Sequence, residues 1–282
     1  MDFRHDDWKD GKINILELFA GTRSWTKPYE GDVRFQQLSI ELEMYAGTVC
    51  RDILQWDYKA ECAGTEFNVL YASPPCNLYF TNLKQTLNGD KFGYSQKDME
   101  LSLMLVDKTI EILNYFKPKY FVIENPVGKM RKHYPQINGF APLLVDYCEY
   151  GVPYKKPTYL WTNISLKPKR CNHKRHSVGV QVMQKDKEKM ISINKLRKTE
   201  GKVGVIGETF NAQIAPALAM ELHDLIIDDF INGVEHIRRE QVKIDYDMEE
   251  AQALKEEQAT EKMERKIKKE IANKSIGTQK SL

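Results

Sequence analysis

The strongest constraint on the fold is a series of short apolar segments, each closed by turn-forming or acidic residues. The segments run from Ile13 to Phe19, Phe35 to Ile40, Asn68 to Ala72 and Tyr120 to Ile123. Apolar runs of this length between Gly, Pro and acidic residues are typical of buried β-strands. The sequence therefore predicts at least four strands whose ends carry polar or turn-forming side chains.

A helix is predicted between the third and fourth strands. Ser95 and Asp98 have the spacing of an N-terminal capping box, apolar residues recur with helical periodicity as far as Tyr115, and Lys117-Pro118 ends the segment. This alternation predicts an α/β fold with a mostly parallel sheet. Ligand crevices of such sheets lie at the carboxyl ends of the strands, although each polar cluster, taken alone, is better explained as a turn.

Composition narrows the class of protein. The chain has 282 residues, of which 41% are hydrophobic, enough for one main domain and a small accessory lobe. It has no apolar run long enough for a membrane span and no apolar N-terminal signal, so we predict a cytoplasmic protein without a membrane partner. Its five cysteines lack paired spacing, which predicts free thiols. The net charge of +2 leaves nucleic-acid binding open, and nothing indicates the oligomeric state.

The second half of the chain is biased in charge. Tyr154 to Lys202 is rich in lysine and arginine, which suits phosphate contacts but equally describes a solvated surface. Helical periodicity returns from Glu208 to Phe230 and stops at Asn232-Gly233. From Arg238 to Lys274 the charges alternate in sign, which predicts an exposed C-terminal charged helix, followed by a disordered end.

Four segments in a fixed order resemble the DNA cytosine-5 methyltransferase family. They are Glu17-Leu18-Phe19-Ala20-Gly21-Thr22, Ser73-Pro74-Pro75-Cys76, Glu124-Asn125-Pro126, and Phe210-Asn211-Ala212 with Pro216. The stretch from Lys156 to Asn163 is similar to compact phage-type members. The resemblance spans roughly Asn14 to Leu222. It implies an S-adenosylmethionine-dependent methyltransferase (Rossmann-like) fold with a small basic target-recognition lobe, in the cytoplasm of a bacterial or phage-infected cell.

The resemblance implies that Cys76 is the nucleophile, with Glu124 and Lys156 completing the catalytic set. Cytosine carbon 5 becomes reactive only after attack on carbon 6, and a thiolate both attacks and leaves well. That attack pushes electrons onto ring nitrogen 3, where a carboxyl group at Glu124 could share a proton. Partial burial would favour the protonated form of Glu124. The base that removes the carbon 5 proton is not identified.

The cofactor implied by the resemblance is S-adenosylmethionine. Glu41 would bind the ribose hydroxyls, Asp52 and Ile53 the adenine, and Gly21 would let the backbone approach the amino-acid end. The full set of predicted cofactor-binding residues is Phe19, Ala20, Gly21, Thr22, Ser24, Glu41, Asp52, Ile53, Pro74 and Asn211.

The implied partner is double-stranded DNA with the target cytosine flipped out of the helix. The residues predicted to contact the base or the DNA are Pro75, Asn77, Asn125 and Thr158. Thr158 stands where the family has a second arginine, Asn77 where glutamine is common, Arg23 where glycine is common, and Phe210 where glycine precedes Asn211. Thr158 brings one hydrogen bond and no charge.

Two other functions stay open at this point. A DNA-binding protein of the same fold could have lost turnover, and a cytosine-5 enzyme of this fold could act on RNA. Cys171, His173 and His176 could ligate zinc, but a fourth ligand is not evident and lysines surround them, so no metal is predicted.

The resemblance also suggests how the chain is divided. We predict a catalytic and cofactor-binding domain in residues 1–153, a target-recognition lobe in 154–203, a return to the catalytic domain in 204–237 and a charged helical or disordered tail in 238–282.

Overall fold

The computed structural model describes residues 11–45, 47–76, 84–85, 91–92, 95–152, 156–172, 179–184, 187–192 and 214–238. All of them belong to the first of two units into which the chain divides, Met1–Glu240. The strands are β1 (Ile13–Leu18), β2 (Phe35–Glu41), β3 (Val49–Cys50), β4 (Val69–Ala72), β5 (Lys84–Gln85), β6 (Lys91–Phe92), β7 (Tyr120–Pro126), β8 (Leu143–Asp146), β9 (Pro157–Thr162), β10 (Gly179–Gln184) and β11 (Lys187–Ser192). The helices are α1 (Tyr58–Glu61), α2 (Gln96–Phe116), α3 (Met130–His133) and α4 (Pro216–Asn232), with 3-10 turns at Lys27–Tyr29 and Tyr147–Tyr150.

A seven-stranded sheet in the order β3-β2-β1-β4-β7-β9-β8 forms the centre of the fold. The pairs β3–β2, β2–β1, β1–β4 and β4–β7 are parallel, whereas β9 runs antiparallel to both of its neighbours. The carboxyl ends of five strands therefore meet at one edge. The predicted α/β class with a mostly parallel, Rossmann-like sheet is confirmed.

Both faces of the sheet are covered. Because side chains alternate along a strand, Leu16 and Leu18 of β1 lie in one core and Ile15 lies in the other. Helix α2 covers the first face with residues such as Val106. Helix α4 covers the second with residues such as Leu222. A parallel sheet needs this burial on both sides, which explains why its strands read as nearly continuous apolar runs.

Three of the four predicted helix ends agree with the structure, whereas the second helix begins later than predicted, because Ile214 and Ala215 are not helical. Ser95 and Asp98 form a reciprocal capping box at the start of α2, and Lys117 ends it in the left-handed conformation. Gly233 ends α4 in the same conformation. Helix α4 begins at Pro216, and the predicted helical residues 208–213 lie outside the described part of the chain.

One segment differs from the predicted division of the chain. We placed residues 157–162 in the basic lobe, whereas they form β9 inside the central sheet, with Leu160 and Trp161 fully buried. The lysines on either side of this segment dominated its composition, so the apolar strand was not predicted. Beyond it, β10 and β11 pair as an antiparallel hairpin. The predicted charged tail, from residue 239 onward, lies outside the described residues. None of the helices described has the length and apolar character needed to span a bilayer.

Candidate active site

The carboxyl edge of the sheet gathers most of the predicted site residues. Phe19 follows β1, Glu41 ends β2, Asp52 follows β3, Cys76 follows β4 and Glu124 lies near the end of β7. Because β1, β2, β3, β4 and β7 run parallel, these residues share one edge. Asn77 and Asn211 lie outside the described residues.

The loop after β1 has an unusual backbone. Phe19, Gly21 and Arg23 have φ values of 56°, 49° and 58°. The Gly21 N–H donates to Glu41 Oε2 at 2.7 Å, and the Ala20 N–H donates to the Ile40 carbonyl at 3.0 Å. A Cβ at Gly21 would meet nothing nearer than Glu41 Oε2 at 4.0 Å. Glycine at position 21 is therefore favoured by the positive φ rather than by crowding.

The buried carboxyl group of Glu17 holds the end of this loop by hydrogen bonds. Glu17 Oε1 accepts the Trp25 N–H at 3.3 Å, and Oε2 accepts the hydroxyls of Thr26 at 2.5 Å and Ser39 at 3.3 Å. Burial raises the pKa of Glu17 to about 7, against the opposing effect of these hydrogen bonds. Sequence reasoning treated Glu17 only as part of a motif. The position of Glu17 inside an otherwise apolar strand was the signal that could have predicted a buried, hydrogen-bonded carboxyl group.

The neighbouring acidic residues suit a nucleoside-like ligand. Glu41 Oε1 accepts the Leu42 N–H at 2.8 Å, so each Glu41 oxygen has a backbone donor and retains a further lone pair for a hydroxyl group. Asp52 Oδ1 accepts the Leu54 N–H at 3.0 Å, beside the buried Ile53. The hydroxyls of Thr22 and Ser24 are hydrogen-bonded to each other at 3.0 Å.

The Cys76 loop is fixed on two sides. Ser73 Oγ accepts the Trp25 indole N–H at 3.0 Å, and the Pro74 carbonyl accepts the Asn125 amide at 2.9 Å. Asn125 is fully buried, so its donor group holds the loop, while its Oδ1 has no hydrogen-bond partner among the described residues. Two prolines and these two bonds restrict where the thiol can lie.

Glu124 is held between an aromatic hydroxyl and an ammonium group. The Tyr147 hydroxyl donates to Glu124 Oε1 at 3.2 Å, and Lys156 Nζ lies 3.6 Å from the same oxygen. Lys156 Nζ also lies 4.7 Å from the centre of the Tyr147 ring. Thr158, predicted to contact the base, is fully buried and donates its hydroxyl to the Lys156 carbonyl at 3.2 Å.

Sequence reasoning missed Tyr147. It comes from the 3-10 turn after β8, which no motif marks, and it reaches Glu124 only through the folding of β8 and β9 against β7. An apolar segment followed by tyrosines carries no signal for such a contact.

Opposing charges act on the Cys76 thiol. The pKa of Cys76 is raised to about 11, chiefly by burial and also by the negative charge of Glu124, whereas the positive charge of Lys156 lowers it. The thiol is thus protonated at neutral pH unless the balance of these two charges changes. A nucleophile, a carboxyl group and an ammonium group at the same sheet edge as Glu41 and Asp52 form a set able to attack an electron-poor ring.

Comparisons with known proteins bear on this site. The chain matches no family model. It is 33% identical over 223 residues to a Frog virus 3 (isolate Goorha) protein named "Probable DNA (cytosine-5)-methyltransferase", a match that covers 76% of this chain and 100% of the relative.

A solved structure is also similar, described as a DNA modification methyltransferase encoded within an Escherichia coli prophage. The TM-score is 0.39 at 16% identity, with 56% of this chain aligned and about half, 51%, of the other, a likeness too weak to carry a conclusion. The viral relative is matched along its whole length, and its 33% identity is high enough to assign a family. On that match, the chain belongs to the DNA (cytosine-5)-methyltransferase family.

Proposed function

We propose that this protein transfers a methyl group from S-adenosylmethionine to carbon 5 of cytosine in double-stranded DNA, through a covalent bond between Cys76 Sγ and carbon 6 of a flipped-out base. The observation that carries the proposal is the meeting of Cys76, Glu124 and Lys156 at the ends of adjoining strands. Lys156 Nζ lies 3.6 Å from Glu124 Oε1, and both charges act on the thiol.

The residues at the ends of β1, β2 and β3 fit the cofactor. Glu41 offers carboxylate lone pairs to ribose hydroxyls, Ile53 offers an apolar face to adenine, and Asp52 offers an acceptor beside it. The backbone around Gly21 would receive the amino-acid end, with Phe19, Ala20, Thr22, Ser24, Pro74 and Asn211 completing the predicted set. When bound, S-adenosylmethionine supplies an electrophilic methyl group on a sulfonium centre.

Glu124 would serve both the base and the nucleophile. A proton from its carboxyl group to nitrogen 3 neutralises the charge that develops there as Cys76 Sγ bonds to carbon 6. Glu124 would take the proton that the Cys76 thiol releases and share it with nitrogen 3, so that its carboxyl group carries no charge that repels the thiolate. Binding of the base would therefore lower the pKa of Cys76, which Glu124 raises in the free protein. Lys156 favours the thiolate throughout.

The remaining steps return the enzyme to its starting state. The proton on carbon 5 passes to an acceptor that is not assigned, the double bond between carbons 5 and 6 forms again, and Cys76 leaves as a thiolate. Nitrogen 3 returns its proton to Glu124, and the thiolate regains a proton. A cytosine within a duplex cannot present carbon 6 to a thiol, so the base must be flipped at a cost of a few kcal/mol. Pro75, Asn77, Asn125 and Thr158 are the predicted contacts to base or DNA, and the basic residues after β9 would bind phosphates.

A transfer assay tests this function. Full-length protein is incubated with tritiated S-adenosylmethionine and either duplex DNA or total RNA, in parallel for the wild type, Cys76→Ser and Cys50→Ser. Label should enter DNA with the wild type and with Cys50→Ser, which changes an exposed thiol that the proposed mechanism does not use. Full activity in Cys76→Ser, or label in RNA alone, contradicts the proposal.

The covalent step has its own measurement. Duplex DNA containing 5-fluorocytosine has no removable proton at carbon 5, so an enzyme bound through Cys76 should stay attached after methyl transfer. A denaturing gel should show a protein–DNA adduct for the wild type and none for Cys76→Ser. Equal adduct formation by both proteins would exclude Cys76 as the nucleophile.

A further inference from the structure

A cluster of metal-binding side chains lies away from the Cys76 site. Cys148 and Glu149 belong to the 3-10 turn after β8, and Cys171 lies beyond β9. The Sγ atoms of Cys148 and Cys171 and a carboxylate oxygen of Glu149 all lie within 4.8 Å of one another. From these residues we infer a structural zinc site built from Cys148, Cys171 and Glu149.

The separations suit tetrahedral zinc. Zn–S bonds of about 2.3 Å and Zn–O bonds of about 2.1 Å place neighbouring ligand atoms roughly 3.6–3.8 Å apart. Small side-chain rotations would close the observed spacing to that value. All three residues are only partly buried, which gives an ion access from solvent. Two thiolates select zinc over calcium or magnesium, which prefer oxygen ligands alone.

The backbone already holds the two halves of the cluster together. Asp146 Oδ2 accepts the Cys171 N–H at 2.8 Å and the Arg170 Nε–H at 3.0 Å. The Asp146 N–H donates to the Lys169 carbonyl at 3.0 Å, and the Lys169 N–H donates to the Tyr150 hydroxyl at 3.2 Å. The ligands are therefore brought together before any ion arrives, which reduces the entropy lost on binding.

Electrostatics favour a cation in this place. The negative charges of Asp146 and Glu149 act on the Cys148 sulfur, and both favour a cation beside it. Zinc is bound by thiolates, so its binding would displace the protons of both thiols. Sequence analysis did not pair Cys148 with Cys171, because the two cysteines lie more than twenty positions apart.

A fourth ligand position stays open to water or to an imidazole. His173 and His176 follow Cys171 by two and five positions, but they lie outside the described residues, and the proposal does not depend on them. This proposal departs from the expectation that the basic surface binds no metal. Zinc here would tie the turn that carries Tyr147, the residue that donates to Glu124, to the start of the basic segment.

Zinc titration of the chelator-treated, fully reduced full-length protein tests the site. The wild type should bind about one Zn²⁺ per chain, and Cys148→Ser and Cys171→Ser should each weaken binding on the order of 100-fold. Glu149→Gln should weaken it about tenfold. Cys50→Ser is the matched control and should bind as the wild type does. Co²⁺ in place of Zn²⁺ should give a thiolate-to-cobalt absorption band that both serine variants lose.

Several outcomes would overturn the inference. One is a reduced wild type that binds no zinc, a result independent of whether any variant folds. Another is unchanged binding in the Cys148→Ser, Cys171→Ser double variant. A third is a disulfide between Cys148 and Cys171 in the air-oxidised protein, with the loss of two hydrogens, together with no zinc binding by the reduced protein. The two cysteines would then form a disulfide rather than a metal site. These measurements do not involve methyl transfer, so they test the zinc site independently of the proposed function.

Discussion

Lys156 and Glu124 act on the Cys76 thiol in opposite directions. Lys156 lowers the pKa of Cys76, so Lys156→Met should raise that pKa further and slow methyl transfer at neutral pH about tenfold. The pH dependence of iodoacetamide labelling at Cys76, followed by peptide mass spectrometry, measures the shift. Lys156→Arg retains the charge and should keep the wild-type profile. Identical profiles for the methionine variant and the wild type would show that the ammonium group does not act on the thiol.

Removal of the Glu124 charge should separate thiol reactivity from catalysis. Glu124 raises the pKa of Cys76, so in Glu124→Gln the thiol should react faster with iodoacetamide at a given pH. Methyl transfer should nevertheless fall by roughly 10²–10⁴-fold, because the amide cannot supply a proton to nitrogen 3. Tyr147→Phe is the matched control: it removes a hydrogen bond to Glu124 but keeps the carboxyl group. Slower labelling in Glu124→Gln would contradict the assignment.

Among individual residues, those that could be predicted from the sequence belong to motifs at strand ends. Cys76 and Glu124 were predicted because each lies at the end of an apolar strand and belongs to a motif of the resembled family, which also suggests their roles. Tyr147 was not predicted, since its contact with Glu124 depends on the path of β8 and β9. Thr158 was predicted to meet the base from its position alone, whereas its hydroxyl bonds to the Lys156 carbonyl.

Among the elements, β1 and its loop carry a pH-dependent contribution to stability. The pKa of Glu17 is about 7 in the folded protein and about 4.5 when unfolded, so the folded state binds the proton more tightly. Its stabilisation is complete below pH 4.5 and is lost as the pH rises through 7. The loss amounts to about 3 kcal/mol.

Glu17→Gln should remove this dependence. Urea unfolding at several values between pH 5 and 8 should show the wild type losing stability relative to the variant, in which the side chain cannot ionise. Glu66→Gln, an exposed change beyond the loop, is the control and should follow the wild type. Parallel curves for wild type and Glu17→Gln would mean that Glu17 keeps an ordinary acidity despite its burial.

The elements that the sequence predicted are those with local signals. Helix α2 has its own capping box, and β1, β2, β4 and β7 are apolar runs bounded by turn residues. Strand β9 was assigned elsewhere because Lys156, Lys167 and Lys169 around it dominate the composition. The short β3 has only two residues and leaves no periodicity to detect. Pairing between distant segments, rather than local propensity, decides such cases.

At the scale of the whole molecule, the residues that follow α4 hydrogen-bond to the segment that follows β9. After α4, the Ser165 N–H donates to the His236 carbonyl at 2.7 Å, and the Arg238 N–H donates to the Asn163 carbonyl at 2.8 Å. The buried Arg238 side chain donates to the carbonyls of Ala141 at 3.2 Å and Thr162 at 3.1 Å. The last residues of this segment thus join α4 to β9 and to the loop before β8.

This arrangement predicts where truncation becomes harmful. A chain that stops after His236 should be less stable than one that stops after Glu240, by about 2–3 kcal/mol, because the buried carbonyls of Ala141 and Thr162 lose a charged donor. Urea unfolding of the two truncated proteins measures the difference. Arg238→Met within the longer one should account for most of it, whereas Val234→Ala, at an exposed position of the same segment, should change stability by about 0.5 kcal/mol or less. Equal stability of the two truncated proteins would mean that α4 is held by its packed face alone, without help from the residues that follow it.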